Sequence, residues 1–591
     1  MASTKTIQKA IPEKKKLPLW VKLLAVFVIF VAIHGIIQFS TPFFADSNDS
    51  FYHAKMGLMM STNGIMQEFP WLYHTVLNKD FVDHHLLFHL FLTPFIFLGN
   101  FLHSIGLVGL EGLFYGPKLF IVLVLGILSV FFYLFLHHGK IQFKWLWMLM
   151  LLAVPYDFYF RLQMIRVQGL SLLTMLLGLY LLWKKQYVWL GVVCFLYVWL
   201  YGGFFFLPIF VAIYAAVYFL RKREFLWKAL LFAFGGMILG FVLNPYFPKN
   251  IIFLYNQIFE TGLGYEINVG GEWRPYDTWH IFQMGFVTFG VQLAALLWTY
   301  IKRSKISIKA ITLLAISFFY MILMWKSKRF VEYWPLFAVL SSAYILKDYL
   351  KTLIVDAFRV TSFAAFFLAA YMGVFAFGRQ KDLFFPAVDS WLRSVPTVML
   401  FVMLFVLIMI FIAGCISVHM QKTEGNFKWE VLAPEAVVGA LLMFLPLYGF
   451  SNMMLVERDI KPATGYFMDA KDIMACLTDK AGAQKGDIVM TDDWDVFPLF
   501  FFYNHLTNYI VGLDPIFMQK LSPVLYDDFA NITIGREKDK LFERIRDVYK
   551  AKFVVIDSEH TAFRANIENT PGFTKVCSNL NFSLYTLAQN Q

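Results

Sequence analysis

The sequence predicts a polytopic α-helical membrane protein of about 13 transmembrane helices, with a C-terminal mixed α/β extracytoplasmic domain. Two observations support this fold class. Of the 591 residues, 59% are hydrophobic and only 15% are charged, with a mean hydropathy of +0.60, which lies outside the range of soluble domains. The apolar residues also come in repeated blocks of about 20, the length that crosses about 30 Å of hydrocarbon as a helix. A soluble enzyme is therefore excluded.

The first apolar block, at about 19–39, follows a basic segment at residues 1–18 and lacks a small-residue cleavage site. We expect a retained anchor and a cytoplasmic N-terminus, because clusters of Lys and Arg stay on the inner side of a membrane. The predicted transmembrane domain covers residues 19–451. Its further spans lie at about 114–136, 143–160, 169–183, 187–201, 203–220, 226–243, 280–301, 308–325, 331–347, 357–378, 397–418 and 431–451.

The apolar stretch 86–104 is not counted as a span. Counting it would place the basic clusters between the later blocks outside, against the usual charge bias. We expect a lipid-facing or re-entrant helix there. The net charge of +11 also reflects membrane topology, because most Lys and Arg lie in short clusters between apolar blocks. Nucleic-acid binding is therefore not expected.

Three regions are then expected outside. They are a first outer loop at 40–113, a late outer loop at 244–279 and a globular domain at 452–591, where the apolar blocks stop. In that domain, buried strands are predicted at 487–490 and 552–556, and a charged helix at 538–550. Cys476 and Cys577 lie outside the hydrophobic part, and a disulfide between them is an option that no spacing requires.

The first outer loop is rich in groups that bind metals. Asp46 and Asp49 follow the first span, and Asp83, His84 and His85 come later in the loop. Carboxylates and imidazoles are ligands of divalent cations, and a carboxylate can also polarise a reacting hydroxyl group. We interpret the five residues as a candidate metal site, with Asp46 and Asp49 as catalytic carboxylates. The alternative is that the clusters cap and orient interfacial helices.

Three arginines at outer ends of spans suit a phosphate group. Arg161 and Arg166 lie in one short outer turn, and Arg329 lies in another beside two lysines. A guanidinium binds two phosphate oxygens at once, which favours donor phosphate binding. For Arg161 and Arg166 the alternative is contact with lipid headgroups, and for Arg329 it is an internal ion pair with Glu332.

The late outer loop combines acidic residues with glycines at 262, 264, 270 and 271. Its glutamates include Glu266 and Glu272. This composition is typical of a mobile loop that covers a substrate. The alternative is a solvated connector with ordinary turn glycines.

The order of these features resembles the catalytic subunit of oligosaccharyltransferases, in the glycosyltransferase C superfamily. Those enzymes have thirteen spans, an acidic first outer loop, a mobile late outer loop and an outside C-terminal domain. Residues 46–49, which read Asp-Ser-Asn-Asp, are similar to the family's first acidic motif, whose aspartate binds metal and activates the acceptor. Residues 489–497 are similar to the strand leading into the family's acceptor-reading motif, which implies that Trp494 and Asp495 bind the acceptor.

The resemblance also assigns roles in the other loops. It implies that Arg329 holds the lipid-linked phosphate, and that Glu266 or Glu272 is the late-loop catalytic glutamate that reaches the metal and the acceptor. One position departs from the family, because residues 166–169 read Arg-Val-Gln-Gly where a second acidic motif is expected. The carboxylate and imidazoles at 83–85 are the candidates to replace its ligands.

Together these observations predict a membrane glycosyltransferase. It would move a sugar or oligosaccharide from a polyprenyl phosphate or pyrophosphate donor to a protein or glycan acceptor on the extracytoplasmic face of the cell membrane, or of the endoplasmic reticulum in a eukaryote. Mg²⁺ or Mn²⁺ would stabilise the leaving phosphate together with the arginines. The alternative is a transporter, flippase or assembly protein for lipid-linked glycans. The mostly uninterrupted spans, without repeated halves, favour an enzyme.

Overall fold

The computed structural model describes residues 17–45, 48–262, 270–303, 305–353, 356–378, 397–423, 432–461 and 463–588. A large helical part is followed by a smaller domain built on a mixed sheet. The two parts meet along the first outer loop, and the candidate site lies where they meet.

Each predicted span falls on a helix. Pro155 breaks the third one into two pieces, since proline lacks the N–H that a continuous helix needs. The helices are Leu19–Gln38, Gly112–His138, Lys144–Leu152 with Tyr156–Leu162, Gln168–Trp183, Tyr187–Leu200, Phe206–Lys222, Trp227–Val242, Thr278–Lys302, Ile308–Lys326, Trp334–Ile345, Ala357–Gly378, Thr397–Thr423 and Leu432–Ile460.

Six helices in the described part of the chain are long and apolar enough to cross a membrane. They are Leu19–Gln38, Leu86–Ser104, Gly112–His138, Thr278–Lys302, Ile308–Lys326 and one within Pro434–Asp479. The first of them buries Val26 and Phe30 but exposes Trp20, Val28 and Ile36. An exposed apolar face of this kind suits hydrocarbon and not water, so the structure supports an integral membrane protein.

The helix Leu86–Ser104 packs against the first turns of Gly112–His138. The charge bias did not count this stretch as a span, but by length and composition the helix could cross a membrane. Gly99 approaches the backbone of Gly112 and Gly116, and the rings of Phe88 and Phe95 contact Phe120. The partner on Gly112–His138 moves from Gly112 to Phe120 as the other helix is followed back from Gly99 to Phe88, so the two helices pack antiparallel and side by side over this stretch. Several large apolar side chains of Leu86–Ser104 are exposed, which gives it an apolar outer face.

Shorter helical segments occupy the outer loops and the turns between spans. In the first outer loop they are Asn48–Asn63 and the 3₁₀ turn Val76–Asn78, and in the late outer loop they are Lys249–Tyr255, the π-helical Asn256–Gly262 and the 3₁₀ turn Gly271–Trp273. The 3₁₀ turn Lys328–Glu332 and the helix Lys347–Thr352 connect later helices.

The C-terminal domain contains a five-stranded sheet in the order β2-β1-β3-β5-β4. The strands are β1 (Ile488–Thr491), β2 (Asn508–Tyr509), β3 (Ala551–Asp557), β4 (Phe573–Ser578) and β5 (Phe582–Leu587). β1 is parallel to β2 and β3, whereas β5 is antiparallel to β3 and β4. Both predicted strands are present as β1 and β3. Both are buried, as their continuous apolar runs indicate.

The helices of this domain are Ala463–Asp479, Phe497–Tyr503, Ile516–Leu521, Pro523–Thr533, Leu541–Glu543 and Thr561–Asn569. The predicted helix at 538–550 is shorter in the structure and covers 541–548. Lys540 has a left-handed backbone conformation, and beyond it only Leu541–Glu543 and the π-helical turn Arg544–Val548 form. Cys476 and Cys577 form a disulfide that joins the first helix of the domain to β4.

The first outer loop adds a strand-like segment to the edge of this sheet. Tyr73 N–H donates to the carbonyl oxygen of Tyr509 at 2.8 Å, and Tyr509 N–H donates to that of Trp71 at 2.8 Å. His74 N–H also donates to the carbonyl oxygen of Ile510 at 3.0 Å. Backbone pairing of this kind covers the edge of β2 and fixes the domain over the loop.

Candidate active site

Two cavities meet at the end of the helical part that carries the first and late outer loops. The first, called the polar cavity, has a volume of about 380 Å³ and lies between both outer loops and the C-terminal domain. Its polar lining includes Asn48, Asp49, His53, His84, His85, Arg166, Gln257, Glu272, Arg329, Asp495 and Asp514. The sequence therefore predicted several of its residues from three separate regions of the chain.

The second, called the apolar cavity, has a volume of about 340 Å³ and extends between helices. Most of its lining is aromatic or aliphatic, as at Phe204, Phe206, Phe241, Phe319 and Leu323. The two cavities share a wall, formed by Val82, His84, His85, Phe253, Gln257, Trp273 and Arg329. A molecule with a polar head and an apolar chain could occupy both at once.

Asp49 lies in the first turn of Asn48–Asn63, where an acidic side chain is favourable to the helix dipole. Its Oδ2 atom accepts a hydrogen bond from Nη2 of Arg166 at 2.6 Å. The side chain remains 43% exposed, so it is accessible from the polar cavity. Asp46, the other predicted carboxylate of this motif, lies outside the described residues.

Glu272 is the centre of a group of arginines. Its Oε2 accepts from Arg161 Nη2 at 2.8 Å and from Arg166 Nη1 at 3.0 Å, and Arg329 Nη2 lies 3.3 Å from its Oε1. Burial alone would raise the pKa of Glu272, but Arg166, Arg329 and Arg161 hold that pKa well below its usual value. Of the two predicted late-loop glutamates, Glu272 therefore lies in the site as a carboxylate. Glu266 lies outside the described residues.

The three arginines differ in their exposure and in their contacts with carboxylates. Arg161 donates through Nε to Glu332, and these side chains are only 8% and 1% exposed. Arg166 is 10% exposed and bonds two carboxylates through its terminal nitrogens. Arg329 is 27% exposed, forms part of the shared wall and stacks over the ring of Trp273 at 4.4 Å. The guanidinium of Arg329 is thus the most accessible of the three.

Glu332 was the predicted alternative partner of Arg329, but it accepts from Arg161 instead. The turn that carries Arg329 is tied to the late outer loop. Ser327 Oγ donates to the carbonyl oxygen of Glu272 at 2.9 Å, and Lys328 N–H donates to that of Arg274 at 3.0 Å. The described part of the late loop is therefore anchored beside the shared wall.

The predicted metal ligands do not converge on one point. Asp83 is buried, and its carboxylate accepts from the imidazole of His89 at 2.6 Å and from His85 N–H at 2.9 Å. The tilted rings of His84 and His85 contact each other in the shared wall, whereas Asp49 bonds Arg166. The predicted Mg²⁺ or Mn²⁺ ion therefore has no assembled ligand set among the described members of the predicted group.

Among the residues that the structure describes, one group has three such side chains with ligand atoms within 4.8 Å of one another: Asp492, Asp557 and His560. It lies in the C-terminal domain. The imidazole Nδ1 of His560 is 2.9 Å from Asp557 Oδ1 and 3.2 Å from Asp492 Oδ2. Hydrogen bonds to the two carboxylates raise the pKa of His560 to about 10, so this group is held together by its own ion pairs.

Sequence reasoning missed a chain of hydrogen bonds behind the polar cavity. Asp83 accepts from Nδ1 of His89, whose Nε2 lies 2.8 Å from Nδ1 of His53. One proton lies between the two imidazole nitrogens, so either histidine can be the donor of this bond. Burial and the nearby His89 and Arg166 hold the pKa of His53 well below its usual value. His53 therefore presents a neutral imidazole at the cavity lining.

The C-terminal domain contributes the upper part of the polar cavity. Asn48 Nδ2 donates to the carbonyl oxygen of Asp495 at 2.9 Å, which joins the predicted acceptor-binding segment to the first outer loop. Gly270 of the late loop packs near the ring of Trp494, so that a Cβ built at this glycine would lie only 3.5 Å from the indole. Trp494 and Asp495 thus lie in the same cavity as Asp49.

No protein-family model and no curated protein sequence matches the chain. Solved structures do match it. The chain is similar to ArnT from Cupriavidus metallidurans in the apo state, with 14% identity, 97% of this chain and 100% of that chain covered, and a TM-score of 0.51. ArnT from the same organism bound to undecaprenyl phosphate is 15% identical, with 97% of this chain and 99% of that chain covered and a TM-score of 0.49. The Archaeoglobus fulgidus oligosaccharyltransferase in complex with Zn and sulfate is 13% identical to this chain, with a TM-score of 0.49. The match covers 95% of this chain and 73% of that chain.

The likeness to apo ArnT extends over nearly the full length of both chains and shows that they share a fold. The predicted resemblance is therefore confirmed at the level of the fold. A shared fold does not select a substrate. It also does not select the oligosaccharyltransferase subtype within the superfamily.

Proposed function

We propose that this protein is a membrane glycosyltransferase that moves a sugar or oligosaccharide from a polyprenyl phosphate or pyrophosphate to a protein or glycan acceptor on the extracytoplasmic face. The observation that carries the proposal is the shared wall between a charged cavity and an apolar cavity. A lipid-linked sugar has the same two parts. Its isoprenoid chain matches the apolar cavity, and its phosphate and sugar match the polar one.

The donor phosphate binds at Arg329 in this proposal. Arg329 lines both cavities, so its guanidinium lies where the head and the chain of the donor would join. Its stacking on Trp273 and its contact with Glu272 orient the guanidinium without burying it. Arg161 supports this arrangement from behind through its pairs with Glu332 and Glu272. We therefore assign Arg161 a structural part and Arg329 the contact with phosphate.

Asp49 faces the acceptor. In the transfer, the bond between the anomeric carbon and the phosphate oxygen breaks, and a bond from that carbon to the acceptor oxygen or nitrogen forms. The acceptor loses a proton, which Asp49 takes, while the leaving phosphate keeps the electron pair beside Arg329. Trp494 and Asp495 line the same cavity from the C-terminal domain and bind the acceptor.

The proposal includes the topology. Thirteen spans from a cytoplasmic N-terminus place residues 452–591 and both outer loops on the extracytoplasmic side. The disulfide between Cys476 and Cys577 supports this placement, because such bonds persist in oxidising compartments.

The experiment that tests the function is donor cleavage by the purified protein. A panel of synthetic polyprenyl phosphate sugars is incubated with detergent-solubilised protein and a mixed peptide and glycan acceptor pool, and free polyprenyl phosphate is measured by chromatography. We expect turnover with at least one donor and its loss in Asp49→Asn. Donor movement across vesicle membranes without cleavage would support a flippase and contradict the proposal.

A second arm tests the apolar cavity with a matched pair on one helix. Leu323 lines the cavity, whereas its neighbour Ile322 is exposed on the outer face. Leu323→Trp fills the cavity and is expected to weaken binding of a long-chain polyprenyl phosphate at least about tenfold, which corresponds to the loss of one well-buried apolar contact. Ile322→Trp is expected to bind as the parent does. Equal binding by both variants would place the lipid chain elsewhere.

A further inference from the structure

We propose that the guanidinium of Arg166 takes the place of a divalent cation between Asp49 and Glu272, so that transfer proceeds without a metal ion at this position. The inference rests on the proposed function for its catalytic meaning. The structural basis does not depend on that function, because it is the observation that Arg166 bonds the carboxylates of both Asp49 and Glu272.

The geometry is that of a bridge. Nη2 of Arg166 donates to Oδ2 of Asp49 at 2.6 Å, and Nη1 donates to Oε2 of Glu272 at 3.0 Å. The two carboxylates come from the first and the late outer loops, the two regions predicted to contribute acidic groups to a metal. One planar group therefore does the joining that a metal ion performs between carboxylates from separate loops.

Arg166 is held firmly in this position. It lies in the turn between the helices Tyr156–Leu162 and Gln168–Trp183, next to Ile165. Ile165 N–H donates to Oγ of Ser50 at 3.0 Å, which ties the turn to the helix that carries Asp49. With a side chain only 10% exposed, the guanidinium has little room to move aside for an ion.

The oxygens that a metal would need already have partners. Oε2 of Glu272 accepts from both Arg161 and Arg166, and its Oε1 lies beside Arg329. A dication placed between Glu272 and Asp49 would lie close to guanidinium groups that are never deprotonated. Like charges would repel it, and hydrogen bonds would have to be broken to release the ligand oxygens.

In this arrangement Arg166 is a positioning residue. It fixes the carboxylate of Asp49 toward the cavity and joins it to the late loop, and it supplies a permanent positive charge. Residues 166–169 contain no carboxylate, and Arg166 at this position supplies a cation that contacts Asp49.

The test measures Mn²⁺ binding by electron paramagnetic resonance in the detergent-solubilised full chain. Four proteins are compared: the wild type, Glu272→Gln, Arg166→Ala and the double variant Arg166→Ala with Glu272→Gln. We expect equal binding by the wild type and Glu272→Gln, because neither has a site between the carboxylates. Any Mn²⁺ bound by Asp492, Asp557 and His560 contributes equally in all four proteins and does not affect the comparison.

Arg166→Ala removes the cation between the carboxylates but leaves Arg161 and Arg329 beside Glu272. It is therefore expected to gain Mn²⁺ binding above that of the wild type through the freed oxygens of Asp49 and Glu272, and the double variant is expected to lose this gain. A wild-type site that disappears in Glu272→Gln would overturn the inference. So would the absence of a gained site in a folded Arg166→Ala protein. If Arg166→Ala does not fold, the wild type and Glu272→Gln decide the question without it.

An activity arm follows once a donor is known. Transfer by the wild type is expected to be unchanged within about twofold after treatment with EDTA, since no ion is needed at this position. A loss of more than about tenfold that Mg²⁺ or Mn²⁺ restores would contradict the inference. If no donor is ever cleaved, the proposed function fails, while the Mn²⁺ measurement still reports on Arg166.

Discussion

Replacement of Arg329 separates phosphate binding from structural support. Arg329 lies in the shared wall, pairs with Glu272 at 3.3 Å and stacks on Trp273. We predict that Arg329→Ala weakens the binding of a polyprenyl phosphate and leaves the fold nearly as stable as before. Arg161→Ala is the matched control, because Arg161 contacts the same glutamate but is buried with Glu332.

The exposure of the two arginines sets the expected magnitudes. Loss of a charge-assisted phosphate contact at Arg329 should cost about 1.5–3 kcal/mol of binding, or about ten- to a hundredfold in affinity. Its ion pair has partners that are 27% and 24% exposed, and such pairs contribute about 0–1 kcal/mol to stability. The Arg161–Glu332 pair is 8% and 1% exposed, and removing one partner of a buried pair costs about 3–5 kcal/mol.

The assay is the Kd of a polyprenyl phosphate in one detergent, measured by thermophoresis, together with the thermal unfolding midpoint. Arg329→Lys should recover only part of the affinity, because an ammonium keeps the charge but not the two-pronged contact. Equal loss of stability in Arg329→Ala and Arg161→Ala, with the donor affinity of Arg329→Ala unchanged, would refute the reasoning. The phosphate would then bind elsewhere.

Further predictions follow from exposed and buried groups. Asp49→Asn should abolish transfer and shift the unfolding midpoint little, because Asp49 is 43% exposed; strong destabilisation without a kinetic effect would show that it is structural. The pKa of His560 is raised to about 10, above about 6.5 in an unfolded chain, so its ion pairs stabilise the fold fully below pH 6.5 and lose that effect as the pH rises toward 10. Unfolding midpoints between pH 6.5 and 10 should fall in the parent and fall less in His560→Gln. Cys476→Ser with Cys577→Ser opens a loop of 101 residues and should cost about 2–4 kcal/mol of stability in denaturant titration, while an unchanged midpoint would show that the bond is absent. A cysteine at exposed Glu559 should react with a membrane-impermeant reagent in intact cells, and reaction only after lysis would contradict the topology.

The helical part could be predicted from the sequence because hydrocarbon imposes a strong constraint. Every buried backbone group must be bonded within its own helix, so long apolar blocks have one structural solution. The broken helix at Pro155 was less visible, since both of its pieces are apolar. The predicted topology also assigned Asp49, Arg166, Glu272 and Arg329 to one side of the membrane, which is why they could be named as candidates.

The pairing of these candidates could not be predicted. Arg166 and Asp49 are 117 residues apart, and nothing local shows that the guanidinium would bond a carboxylate and not a phosphate. His89 was hidden for another reason, because it lies in an apolar helix and its contact with His53, 36 residues away, forms only when two helices pack together. Contacts of this kind depend on the packing of separate elements, which charge and hydropathy patterns do not record.

The most direct test of the account is the position of a bound polyprenyl phosphate in an experimental structure of the full chain. The account predicts phosphate oxygens within about 2.7–3.2 Å of the guanidinium nitrogens of Arg329, with the isoprenoid chain in the apolar cavity and the polar cavity open toward Asp49. A chain bound against the lipid-facing helices, or a phosphate remote from the shared wall, would contradict it.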